Sequence, residues 1–151
     1  MPQLLGEFDC TMDAKGRIRL PSGLLKQLGG EELQPKFVMN KGFEKHLTLY
    51  PQDTWDRTVR DFETLNPYDS DSRTFLRRFH NGATQIELDE QGRLLIPKRL
   101  SEYANVEKDV ILNCYGDKIE VWDATEYERM MNDESVGMSD LAQKVLGGKS
   151  Q

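Results

Sequence analysis

The chain states one short phrase twice, and that repetition limits its folds more than any other feature. Asp13-Ala-Lys-Gly-Arg17 returns as Asp89-Glu-Gln-Gly-Arg93, an offset of 76 residues. Each copy is followed by an apolar run that ends in proline, Ile18-Arg-Leu-Pro21 and Leu94-Leu-Ile-Pro97. Later segments repeat too. Val110-Ile-Leu-Asn113 matches Phe37-Val-Met-Asn40 at an offset of 73, and Ile119-Glu-Val-Trp-Asp123 matches Leu47-Thr-Leu-Tyr-Pro51 at an offset of 72. An offset that shortens only between such segments marks a duplicated unit with loop deletions.

Within each copy the chemistry is that of a tight turn. The Asp side chain can accept from backbone N–H groups two residues on, and Gly16 or Gly92 supplies a positive-φ position. Arg17 and Arg93 then leave the turn on a strand. Before each turn the residues alternate, with Glu7, Asp9 and Thr11 opposite Phe8, Cys10 and Met12, then Ala83, Gln85 and Glu87 opposite Thr84, Ile86 and Leu88. Pro21 and Pro97 open short helices, the first stopped by Gly29-Gly30. Trp55, Val59 and Phe62 recur at helical spacing, as do Phe75, Leu76 and Phe79. Asp123 and Glu126 form a capping signal for a helix that carries Tyr127, Met130 and Met131. Ser139 to Leu146 predicts a terminal helix, with frayed residues after it.

Each half therefore reads strand, turn, strand, short helix, two strands, then helix. A unit of about 45 residues buries too little to stand alone. Two such units are expected to share one core about an approximate two-fold, which brings the two Gly-Arg turns together. The boundaries predicted are a first unit over 5–52, a helical connector over 53–80, a second unit over 81–124 and C-terminal helices over 125–151.

Charge bears on the partner. The net charge of −6 opposes nucleic acid as a whole-chain property. Around the first turn, however, Lys15, Arg17, Arg19 and Lys26 face only Asp13, while acids gather at Asp53 to Asp71 and Asp117 to Glu134. Such segregation allows one basic face on an acidic protein. Arg73, Arg77 and Arg78 read as a solvated helix face, or as phosphate contacts should that face lie beside the turns. No run of about 18 apolar residues offers a membrane span, and the N-terminal stretch lacks the pattern of a secretory signal. Cys10 and Cys114 form no metal or redox motif and read as buried free thiols. An enzyme would have to draw on His46, His80, Cys10 and Cys114. No two of these lie at ligand or triad spacing, and each histidine reads as a surface residue near a turn.

With both turns placed, the sequence resembles the MraZ transcriptional regulators, built from two AbrB/SpoVT-type swapped-hairpin units. The resemblance rests on the paired Asp-x-x-x-Arg motifs at Asp13/Arg17 and Asp89/Arg93, on their apolar-Pro endings, and on the closing segments at Leu47 and Ile119. It implies an α+β fold, with the two tandem β units forming a pseudo-two-fold β-barrel flanked by helices. It also implies a cytoplasmic, nucleoid-associated regulator that assembles into a closed homo-oligomeric ring, without catalysis, cofactor or membrane. The ring would bind double-stranded promoter DNA at short G-rich direct repeats, usually repressing the division and cell-wall gene cluster. Arg17 and Arg93 would be the residues used on DNA, with Asp13, Gly16, Asp89 and Gly92 shaping the turns. One asymmetry stands out: Lys15 and Arg19, suited to phosphates, correspond to Gln91 and Leu95. A rival reading as an antitoxin would use the segment from Met138 as a toxin-binding tail.

Overall fold

The computed structural model describes residues 3–29 and 35–147. Gly30 and the final residues, expected as a helix stop and a frayed end, lie outside them. The strands are β1 (Leu4–Thr11), β2 (Arg17–Arg19), β3 (Lys36–Lys41), β4 (Leu47–Pro51), β5 (Thr84–Glu87), β6 (Arg93–Leu95), β7 (Asp109–Gly116) and β8 (Lys118–Asp123). The helices are α1 (Ser22–Gln27), α2 (Gln52–Asp61), α3 (Ser70–His80), α4 (Lys98–Tyr103), α5 (Ala124–Met131) and α6 (Met138–Gly147). A 3-10 turn, Phe62–Thr64, extends α2.

Strand pairing is exchanged between the halves. β1 does not form a regular hairpin with β2; it runs antiparallel along β7, with Phe8 opposite Leu112. Reciprocally, β5 runs along β3, with Thr84 opposite Met39. These two pairings share one register once the offsets of 76 and 73 are applied. The larger sheet has the order β1-β7-β8-β4-β3-β5, which reads the same when the halves are swapped. Its pseudo-dyad passes between β4 and β8, where Thr48 faces Glu120. The same dyad relates β2 to β6, which form a separate two-stranded ribbon.

The closed barrel expected from the resemblance is not formed. Six strands make one sheet and two make the ribbon, and the link from β1 to the ribbon is a single bridge, Met12 to Ile18. The reason is local: β2 and β6 are three residues each, because Pro21 and Pro97 follow after a single further residue and cannot donate to a ladder.

Apolar side chains of both halves fill the space between ribbon and sheet. Ile18 and Leu94 from the ribbon, Leu24 and Leu100 from α1 and α4, and Phe37, Met39, Leu47, Leu49, Leu112, Ile119 and Val121 from the sheet are all buried. The short helices repeat in detail. Both begin after a proline, and each is followed by a left-handed residue, Gly29 (φ 114°) in one half and Asn105 (φ 55°) in the other. Asn is the side-chain-bearing residue that best tolerates that conformation. On the outer face, α2 packs on β3 and β4, and α5 packs on β7 and β8. Asp123 caps α5 by accepting from the Glu126 N–H, as its spacing predicts.

Candidate nucleic-acid interface

The two turns are built bond for bond alike. In the first, Asp13 O accepts from the Gly16 N–H at 3.0 Å and Asp13 N–H donates to Arg17 O at 3.0 Å. Its carboxylate Oδ1 accepts from the N–H groups of Lys15 (3.0 Å) and Arg17 (2.9 Å), while Oδ2 accepts from Arg17 Nε at 2.8 Å. In the second, Asp89 Oδ1 accepts from Gln91 and Arg93 N–H groups, each at 2.9 Å, and Oδ2 accepts from Arg93 Nε at 2.9 Å. Gly16 (φ 87°) and Gly92 (φ 75°) occupy the left-handed position that closes each turn. The backbone N–H groups of Arg17 and Arg93, aided by the guanidinium beside each, hold both aspartates below the usual carboxylate range.

Because Nε is bound to the aspartate, each arginine is held at its neck. Its Nη donors carry no other hydrogen bond among the described residues. What remains is the end-on fork of the guanidinium, the geometry that matches paired acceptors on a carboxylate, a phosphate or a guanine edge.

The ribbon brings these forks onto one surface. Antiparallel pairing sets Arg17 opposite Leu95, Ile18 opposite Leu94 and Arg19 opposite Arg93. Ile18 and Leu94 point inward at 1% and 2% exposure, so by the strand alternation Arg17, Arg19, Arg93 and Leu95 share the outward face. Each turn is also locked to the opposite strand, since Leu20 N–H donates to Gly92 O at 3.1 Å and Ile96 N–H donates to Gly16 O at 2.8 Å. Arg19 Nη1 adds a bond to Gln91 O at 2.9 Å. Arg17 and Arg93 thus sit on a cross-strand diagonal, with backbones about 7–8 Å apart. They belong to a single ribbon.

Placing Arg19 directly across from Arg93 sets like charges side by side, which costs stability in a bare sheet. This juxtaposition was not read from the sequence, although the equal offset of β2 and β6 implies it: a two-fold pairing centred on Ile18 and Leu94 must oppose residues 19 and 93. An anion laid across the ribbon would offset that cost.

The arginines at the end of α3 lie away from this face. Arg77 and Arg78 stand in the last turn of α3, whose end is tied to Asn40 and Lys41. That is the far end of β3 from the second turn, roughly 15 Å along a strand. His80 is exposed, and its Nδ1 lies 2.8 Å from Leu76 O. His46 corrects the surface reading, for it is 4% exposed and stacked on Trp122 at 4.5 Å. Cys114 is buried and Cys10 half-buried; both thiols are free, and burial pushes each up to about 11. No helix among the described residues is long and apolar enough to cross a membrane.

A family model described as "MraZ protein, putative antitoxin-like" matches the chain twice, over residues 3–78 and 79–146. The chain belongs to the MraZ family. The double match divides the sequence within the last turn of α3, just before the repeat restarts. The Transcriptional regulator MraZ of Christiangramia forsetii is 38% identical over 148 residues, covering 97% of this chain and 95% of the relative. Its namesake from Flavobacterium psychrophilum is 39% identical over 148 residues, covering 97% and 94%. That from Caldicellulosiruptor saccharolyticus is 38% identical over 142 residues, covering 94% and 96%. These MraZ relatives are similar along essentially their whole length, so the ribbon, both turns and the outer helices all fall within the matched region.

Proposed function

We propose that the chain is a transcription regulator that binds duplex DNA by laying the β2–β6 ribbon into the major groove. Its relatives' names support regulation of transcription, and membership of that class supports a role without catalysis. The observation that carries the DNA reading is the outward face of the ribbon. There Arg17 and Arg93 are held by Asp13 and Asp89 with their forks outward, and Arg19 lies directly across from Arg93.

A major groove about 12 Å wide admits a two-stranded ribbon, and Arg bound through both Nη atoms matches O6 and N7 of guanine. The diagonal spacing of the two arginines spans about two base-pair steps of 3.4 Å, which favours adjacent or near-adjacent guanines. Lys15 at the turn and Arg19 on the strand contact phosphates, adding affinity and salt dependence without reading sequence. Gly16 and Gly92 keep the turn tips slim. The reading extends to G-rich direct repeats at promoters of division and cell-wall genes, repression there, and residence on the nucleoid in the cytoplasm. It also treats 5–52 and 81–124 as the paired DNA-binding units, with 53–80 connecting them and 125–151 closing the chain. Copies in a closed ring multiply a weak single contact through effective concentration, provided the boxes match the spacing of the ribbons.

The test is a selection from random duplexes, followed by competition at two salt concentrations. Each of Arg17→Ala and Arg93→Ala is expected to cost about 1–3 kcal/mol and to relax preference at one guanine. Lys15→Gln should weaken binding to all duplexes alike and lower the salt slope by about one. A folded Arg17→Ala/Arg93→Ala protein that held the selected duplex as tightly as the parent would end this reading.

A further inference from the structure

The halves repeat each other up to their last helices and there part company. In the first half Tyr50 meets Trp55 edge-on at 5.2 Å and 66°; in the second Trp122 meets Tyr127, the equivalent pair, at 6.1 Å and 62°. Over the first pair α3 closes a lid. Phe79 stacks on Trp55 at 5.6 Å and touches Phe62 at 4.9 Å, while Asn40 Nδ2 donates to Phe79 O at 2.5 Å. Over the second pair the corresponding helix, α6, is not docked. Its apolar residues Met138, Leu141, Val145 and Leu146 are all exposed, Val145 at 60%. Asn113, the equivalent of Asn40, donates instead to Glu120.

Trp122 and Tyr127 are themselves only 4% and 5% exposed, and beside them lies an open groove of about 520 Å³ bordered by Glu44, Trp122, Glu126, Arg129, Met130 and Asp133. A complementary helix and groove are therefore both unfilled on one chain. The link between them argues against closure within the chain. In the first half the connector holds Phe62, which anchors α3 through Phe75 and Phe79. At the equivalent position the second half has Glu134, and an exposed turn, Ser135 N–H to Asp133 Oδ1 at 3.0 Å, sets α6 apart.

We propose that α6 of one copy seats in the Trp122–Met130 groove of a second copy, taking there the place that α3 takes on the first half. Leu141 and Val145 enter the groove, and Lys144 faces the acidic rim of Glu126 and Asp133. Helix and groove are different surfaces, so the contact is heterologous and repeats head to tail. This seam rests on the reading that the chain works as a homo-oligomer.

Two measurements test it. In a Met130→Cys/Val145→Cys protein, mild oxidation at pH 8 should give covalently linked chains on non-reducing gels. The parent should give none, since Cys114 is buried and Cys10 half-buried. Leu141→Asp/Val145→Asp, which alters only exposed helix positions, should keep the parent's circular dichroism and sediment at the 17.4 kDa of one chain. It should also lose at least tenfold in affinity for a duplex with several boxes while keeping that for one box. A cross-link confined to single chains, or a double-aspartate variant that assembles like the parent, overturns the seam alone. A parent that is itself monomeric overturns the seam and the homo-oligomer reading together.

Discussion

At the scale of single residues, side chains that talk to their own turn were legible in the sequence and those that talk across the molecule were not. Asp13, Gly16 and Arg17 satisfy one another within five residues, so their spacing alone specifies the bonds. His46 is the opposite case. Its burial is decided by Gly42 beside it, where any Cβ would come within 2.3 Å of Nε2, and by Trp122, which stacks on it from 76 residues away. Its Nδ1 has no partner among the described residues, and Nε2 lies 3.4 Å from Glu120 Oε2. Burial holds His46 below its usual 6.5 although Glu120 and Glu44 pull the other way. The unfolded chain therefore takes up this proton first. The contribution is intact above pH 6.5 and is lost as pH falls through the native value, at about 1.4 kcal/mol per unit of difference. Between pH 7.5 and 5.5 the melting temperature of the parent should fall more than that of His46→Phe. Equal slopes by scanning calorimetry would show that the imidazole carries no such penalty.

At the scale of elements, strands and helices followed from alternation and helical spacing, with ends shifted by a residue or two. Pairing partners did not follow, because alternation names a strand's buried face but not the strand beside it. β1 and β2 read as a hairpin from the turn between them, yet each finds its ladder in the other half. The attachment of α3 was also hidden. Its stripe of Phe75, Leu76 and Phe79 was plain, whereas its register on the sheet depends on Asn40, a polar residue 1% exposed. Asn40 donates to Phe79 O and accepts from the Lys41 N–H at 2.9 Å, so it pins the end of a helix to β3. Replacing it with Leu leaves a half-buried carbonyl without its donor, a loss of about 1–3 kcal/mol. Asn40→Leu should therefore lower stability by that amount in urea and shift Trp55 emission to the red as α3 lifts. Asn113→Leu, whose partner is a side chain able to turn to water, should cost less. The reverse order would mean that α3 is held by its aromatic contacts alone.

At the scale of the whole molecule, exchange of strands decides how the chain can fold. Duplication was the most legible fact in the sequence, and it predicted two units sharing one core about an approximate two-fold. The repeat alone did not say which strands are exchanged to make that core. Eight rungs join β1 to β7 and four join β3 to β5, while the central ribbon takes one strand from each half. A first half expressed alone would keep β3, β4 and α2 but would leave the whole length of β1 unpaired, and Ile18 without Leu94 to cover it. That exposure costs apolar burial at the centre of the core and leaves an edge open to association. Residues 1–78 should therefore fail to fold as a monomer. They should either remain disordered by circular dichroism or pair with a second copy of themselves through the same exchange. Mixing them with residues 79–151 should restore the spectrum of the intact chain. The intact chain should unfold in one step, because neither half has a core of its own to retain. Trp55 lies in the first half and Trp122 in the second, so single-tryptophan variants report each separately. Coincident urea midpoints from both reporters and from far-UV ellipticity are expected. Two separated transitions, or a stable monomeric half, would mean that the exchanged pairing is not what holds the arginine face of the ribbon together.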